Sequence, residues 1–258
     1  MAKATTTTTT TRSSGLRALV VAVLVVVLLP HVPILSLVVR PLVWLSTLVH
    51  ELGHGLAQMA LGAGLRELVI WPSAAGVARP EQGVDDVKSA LIGLGGLVGP
   101  ACASAVFLVL GIVPRVARVS LLAAGVGCLV LALTKAGGFA VVVAGLWGFV
   151  FVVASLTLHG ERARVALLVF AVDLAGSVFS RGDYLFTSVA HTDQGDLPSD
   201  VANIATHLGG HPLAWGLAIA LLSIVLLIGG LAAFFTGHVL LARVDFWRRR
   251  GRRDDDDK

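Results

Sequence analysis

Charge is scarce in this chain. Charged residues make up 14% of its 258 positions, where soluble domains carry roughly a quarter. That scarcity excludes an ordinary solvated surface. The basic excess, 20 Lys and Arg against 16 Asp and Glu, lies mostly between apolar runs and at the C-terminus. Such residues suit lipid headgroups and do not make a nucleic-acid face. Cysteine is nearly absent. Cys102 and Cys128 both fall within apolar runs, as small buried hydrophobes do, so neither a disulfide framework nor a cysteine metal pair is expected. No internal repeat is present. The glycine-rich stretch Gly93–Pro100 lacks the Lys-Ser/Thr ending of a phosphate loop.

Apolar residues are abundant: 56% of the chain, with a mean hydropathy of +0.86. They occur in long runs, which lipid accommodates and water does not. The reading is an all-α polytopic membrane protein with roughly six or seven transmembrane helices.

A Thr-rich tail over residues 1–15 is too polar to bury and is expected to be disordered. A transmembrane domain over 16–246 follows, and then a basic tail over 247–258. That tail ends in Asp254-Asp-Asp-Asp-Lys258, which matches the recognition sequence of a tag-removal protease. The first span, Leu16–Val39, should kink or break at Pro30 and Pro33. Pro41 suits the first turn of a second helix reaching about Leu61. Leu65–Trp71 and Ala74–Ala78 read as two short strands around Pro72-Ser73, a small β-hairpin. Further spans are expected at Val87–Val113, Val119–Thr134, Phe139–Leu158, Val165–Phe179 and Pro212–Leu241. Lys135-Ala-Gly-Gly reads as a turn between two of them.

The chemistry sits in the second helix, in Leu48-Val-His-Glu-Leu-Gly-His-Gly-Leu56. His50 and His54 are four apart and share one helix face. Two imidazoles so placed can bind one Zn²⁺ at ~2.0–2.1 Å each. Glu51, beside the first ligand, is positioned to take a proton from a metal-bound water without ligating. Solvated His and Glu pairs are common on soluble helices. Inside an apolar helix they are costly, and such residues are functional by default. Gly53 and Gly55 allow close approach of a neighbouring helix or substrate, and Gly95, Gly99 and Ser104 form a small-residue packing face.

A catalytic zinc needs a third protein ligand. Asp173, in the middle of an apolar helix, is the first candidate, and its alternative role is a hydrogen-bonded helix brace. Asp200, in Leu197-Pro-Ser-Asp, is the second, and there Ser199 or Asp200 would otherwise serve as a helix N-cap. His207 and His211 are also four apart. Gly209 and Gly210 lie between them, so they read as solvated loop histidines and not as a second metal site.

These residues resemble the site-2 protease family of intramembrane zinc metalloproteases, in its compact branch without a PDZ domain. The resemblance rests on His50-Glu-Leu-Gly-His-Gly, Gly62, Leu65–Trp71, Ser73-Ala-Ala-Gly76 and Gly95-Gly-Leu-Val-Gly-Pro100. It covers residues 41–105 well and 165–225 loosely. Val172-Asp173 and Ser199-Asp200 stand where that branch carries a membrane Asp and a later Ser-Asp pair. The Asn-Pro and Asp-Gly pairs of better-known members have no counterpart. The resemblance implies a zinc metalloendopeptidase of the cell membrane. It would cleave unwound transmembrane protein substrates, with Glu51 as base and the strands at 65–78 pairing edge-on with the unwound segment. Two other readings stay open: an inactive scaffold that binds membrane helices, and a metal or proton transporter.

Overall fold

The computed structural model describes residues 3–31, 37, 39–180, 185–192 and 195–256. Helix α1 runs Lys3–Leu28, and Leu29–His31 form a 3-10 turn. The α-helix stops where expected, because Pro30 restricts Leu29 and has no N–H to donate. Pro33 lies outside the described residues.

Helix α2 spans Val39–Ala60. It is followed by strands β1 (Leu65–Ile70) and β2 (Gly76–Pro80), then α3 (Asp86–Leu110) and α4 (Pro114–Thr134). Strand β3 (Ala136–Gly138) leads into α5 (Phe139–Thr157) and α6 (Glu161–Ser180). A second hairpin, β4 (Val189–Thr192) with β5 (Gly195–Pro198), precedes α7 (Asp200–Leu208) and α8 (Pro212–Asp256).

Among the described residues, five helices are long and apolar enough to cross a membrane, in α1, α3, α4, α5 and α8. Helices α2 and α6 match them in length, at 22 and 20 residues, but carry buried polar groups, among them His50, Glu51 and His54 in α2 and Arg164 in α6. With these two, the expected six or seven are accounted for. Helix α4 starts earlier than its apolar run because its arginines are tolerated: Arg118 Nε donates to Ser155 O at 2.6 Å. Helix α6 likewise begins at Glu161, with Arg164 buried and donating to Ile112 O (2.8 Å) and Glu161 Oε2 (3.0 Å).

The hairpin β1–β2 forms where the alternation predicts, with Ile70 opposite Gly76 and Leu68 opposite Ala78. Lys135-Ala-Gly-Gly is more than the expected turn. Ala136–Gly138 adds to β1 as a parallel strand, giving the order β2-β1-β3. At Gly137 a Cβ would displace the Glu67 carboxylate, which lies over this strand.

The start of α2 is anchored from two sides. Trp147 Nε1 donates to Pro41 O at 3.0 Å, inside a core where Trp147, Phe151 and Phe170 stack edge to face or tilted. Arg40 and Trp44 donate to Pro72 O in the hairpin turn at 2.8 and 3.2 Å. Helix α3 packs antiparallel on α2. A Cβ on Gly53 would strike Gly95 O, and one on Gly99 would stand 3.2 Å from Val49 O. These glycines weaken helices in water by about 1 kcal/mol each, but in lipid they let two backbones touch. Ser104 continues the small face toward a different neighbour, donating to Ala171 O of α6 at 2.7 Å.

Candidate metal centre

Helix periodicity brings the two imidazoles together. Their rings are 4.7 Å apart and nearly perpendicular, with Nε2 to Nε2 at 3.1 Å. His50, Glu51 and His54 are all buried, and each offers a ligand atom within 4.8 Å of the others. The Nδ1 of His54 lies 2.7 Å from Ile92 O. A carbonyl only accepts, so Nδ1 carries the proton and Nε2 presents its lone pair inward. A Cβ on Gly96 would stand inside the His54 ring, so α3 must be glycine where it passes the imidazole.

Asp200 comes from far along the chain to complete the group. Its Oδ2 lies 3.1 Å from His50 Nε2 and 3.3 Å from His54 Nε2. Helix α7 puts it there. Ser199 is the N-cap, its Oγ accepting from Ala202 N–H at 3.2 Å and donating to Thr187 O at 2.6 Å. Capping is thereby done by Ser199, and the neighbouring carboxylate is left to face the imidazoles. Burial alone would push the Asp200 carboxyl up, but His54 and His50 beside it hold it well below the usual carboxylate range.

These three atoms fit a single metal ion. Around a tetrahedral ion with bonds of ~2.0–2.1 Å, donor atoms stand ~3.3–3.4 Å apart. The observed separations of 3.1, 3.1 and 3.3 Å fall within a few tenths of an ångström of that. Two nitrogens and one carboxylate oxygen are also one of the donor sets of catalytic zinc sites.

A model of the Peptidase M50B-like family matches residues 18–230, most of the chain. The chain belongs to this family. No curated protein and no solved structure matches it. Membership places this M50B-like chain with the site-2 proteases, zinc-dependent metallopeptidases of membranes, and its five apolar helices make it a multi-pass membrane protein.

Asp173 of the M50B-like chain is placed differently from Asp200. It forms no ion pair with either imidazole, and its Oδ2 is buried without a hydrogen-bond partner among the described residues. His207 Nδ1 lies 3.0 Å from Asp86 Oδ1, while His211 Nδ1 accepts from Leu213 N–H at 3.2 Å. Gly209 and Gly210 have positive φ, which breaks the helix between these two histidines.

A cleft of about 1140 Å³ opens over Glu51 and His54. One wall is Trp71 with residues 73–78, and the other is residues 186–190 with 197–200. The second hairpin was not legible in the sequence. Its strands are four residues each, within a polar stretch that reads as loop, and Gly195 with φ +107° was the single local cue. Ile92 O was equally hidden, because a backbone carbonyl leaves no trace in residue type.

Proposed function

We propose that this protein is an intramembrane zinc metalloendopeptidase, with His50, His54 and Asp200 as the metal ligands and Glu51 as the general base. The observation that carries the reading is the mutual spacing of the three donor atoms, 3.1, 3.1 and 3.3 Å, next to a buried carboxylate. Asp200 takes the third position over Asp173 on those distances. A zinc ion held there supplies a Lewis acid that polarises the scissile carbonyl and acidifies water.

The protein's own groups do the rest. Ile92 O fixes the His54 tautomer through Nδ1–H. Glu51 takes a proton from the attacking water and delivers it to the leaving amine. The cleft exceeds the ~300–1,000 Å³ of small-molecule sites and suits an extended stretch of polypeptide. Substrate helices must unwind to enter, because their carbonyls are otherwise bonded internally.

The test is reconstitution with a single-span substrate in lipid vesicles. Zinc-dependent cleavage is expected for the unmodified protein. Glu51→Gln should keep zinc and lose ~10²–10⁴-fold in rate, the usual contribution of a general base. Full activity in Glu51→Gln, or cleavage unaffected by metal removal, refutes the reading.

A further inference from the structure

Strand β2 is held against the metal helix at two points, one on either side of the base. In an antiparallel pair, alternate residues turn their N–H and C=O away from the partner. Trp71 N–H donates to Ala75 O (2.9 Å), and Leu68 N–H turns away from β2 to reach Lys135 O (2.8 Å). Since Leu68 faces Ala78 and Ile70 faces Gly76, Gly76 and Ala78 are outward positions, while Ala74, just before the strand, closes the turn with its N–H donating to Trp71 O at 2.9 Å and its φ at +72°.

Helix α2 meets each of them. Thr47 Oγ1 donates to Ala74 O at 3.0 Å, and Gln58 Nε2 donates to Ala78 O at 2.8 Å. Between them Gly76 lies against Glu51, where a Cβ would stand 2.6 Å from Oε1. Thr47, Glu51 and Gln58 follow helical spacing and form one stripe, and all three are almost fully buried, at 0, 3 and 1% exposed. The lengths agree. Positions 74 to 78 cover ~13 Å of strand, and 47 to 58 cover ~16 Å of helix.

We infer that Thr47 and Gln58 are positioning residues that clamp β2 to α2 on both sides of Glu51, fixing the distance between the base and the strand. The inference rests on the peptidase reading. It also narrows edge pairing: the carbonyls of Ala74 and Ala78 are engaged by α2, and Gly76 between them lies against the base. The two ends are unequal. The single Thr47 hydroxyl proton is shared between Ala74 O and Val43 O, 3.1 Å away, so Gln58 is the firmer end.

The experiment uses the full chain in detergent, with Cys102→Ala and Cys128→Ala. Nitroxide labels replace the exposed Ala60 and Arg79, and their dipolar coupling is read by continuous-wave EPR. Thr47→Val with Gln58→Met keeps side-chain volume and removes both donors. The coupling is expected to weaken and broaden while zinc stays at one per chain. In the unlabelled double variant kcat should fall roughly 100-fold, the cost of a misplacement of about 1 Å. Thr47→Ser, which keeps the hydroxyl, restores the coupling when combined with native Gln58.

Unchanged coupling in the double variant overturns the clamp. So does a loss in which zinc, melting temperature and rate fall together while the coupling persists, which is the signature of a merely structural role. If the unmodified protein cleaves nothing, the peptidase reading falls, and the coupling still decides whether the two side chains hold the strand.

Discussion

Ser199 and Asp200 are neighbours, and the helix cap belongs to Ser199, whose Oγ accepts from Ala202 N–H at 3.2 Å. The Asp200 carboxylate is thereby left free to lie 3.1 Å from His50. A carboxylate in the first turn of a helix also gains from the aligned backbone N–H groups. That pairing turns an ordinary helix start into a candidate metal ligand.

The first test separates the two aspartates. Asp200→Asn should lower zinc affinity by about 100-fold or more, since it removes a ligand charge and exceeds the ~10–100-fold typical of outer-shell changes. Asp173→Asn should leave zinc content unchanged, because Asp173 makes no ion pair with the imidazoles. Metal analysis of the purified variants reads both. Zinc lost from Asp173→Asn and kept in Asp200→Asn would reverse the ligand assignment.

Gly96→Ala tests the packing that holds His54. The added Cβ would occupy the imidazole's position, so either the ring or α3 must move. The backbone of α2 meets α3 where Gly53 touches Gly95, and there is no slack between them. Overpacking of this kind costs about 1–3 kcal/mol. Zinc affinity and melting temperature should therefore fall together. Gly127→Ala, where nothing lies within 4 Å, is the matched control and should change neither.

Much of this site was legible before any coordinates. The His50-Glu51-His54 spacing fixes one helix face, and the apolar flanks make solvated histidines implausible. The hairpin after α2 followed from alternation and Pro72-Ser73. The choice between Asp173 and Asp200 is less legible. Asp173 sits in the more suggestive sequence context, deep in an apolar run, whereas Asp200 looks like a helix cap. Only tertiary placement shows Ser199 taking that role. Strand β3 reads as a turn because Ala-Gly-Gly has little strand propensity, and its pairing with β1 is imposed by α4 and α5 on either side. The helices at Pro114 and Glu161 start earlier than their apolar runs because the folded chain gives Arg118 and Arg164 backbone carbonyls.

Gly76→Ala probes the base without touching a ligand. The methyl group would press on the Glu51 carboxylate, with contacts of 2.6–2.8 Å to Oε1, Cγ and Cδ. Zinc content should stay at the level of the unmodified protein. The cleavage rate should drop by ~10²-fold or more, because a catalytic group displaced by about 1 Å loses that much. A rate within twofold of the unmodified protein would show that Glu51 has room to move, and that its placement against β2 does not matter.

Metal removal should be visible as lost stability as well as lost activity. Two imidazole nitrogens and a carboxylate oxygen lie within 3.1–3.3 Å of one another in a buried site, close enough for one ion to engage all three. An ion that binds only the folded chain stabilises it by about 2.7 kcal/mol at a hundredfold excess over Kd. For a chain of this size that corresponds to roughly 5–10 °C in melting temperature. Chelation followed by zinc titration, read by a thermal unfolding assay in detergent, should produce and reverse that shift. Asp200→Asn should titrate with a much weaker midpoint. Glu51→Gln should titrate like the unmodified protein, because its carboxylate serves the proton and not the metal. Equal shifts in all three proteins would remove Asp200 from the zinc's ligands, since only a site lacking Asp200 is indifferent to its loss.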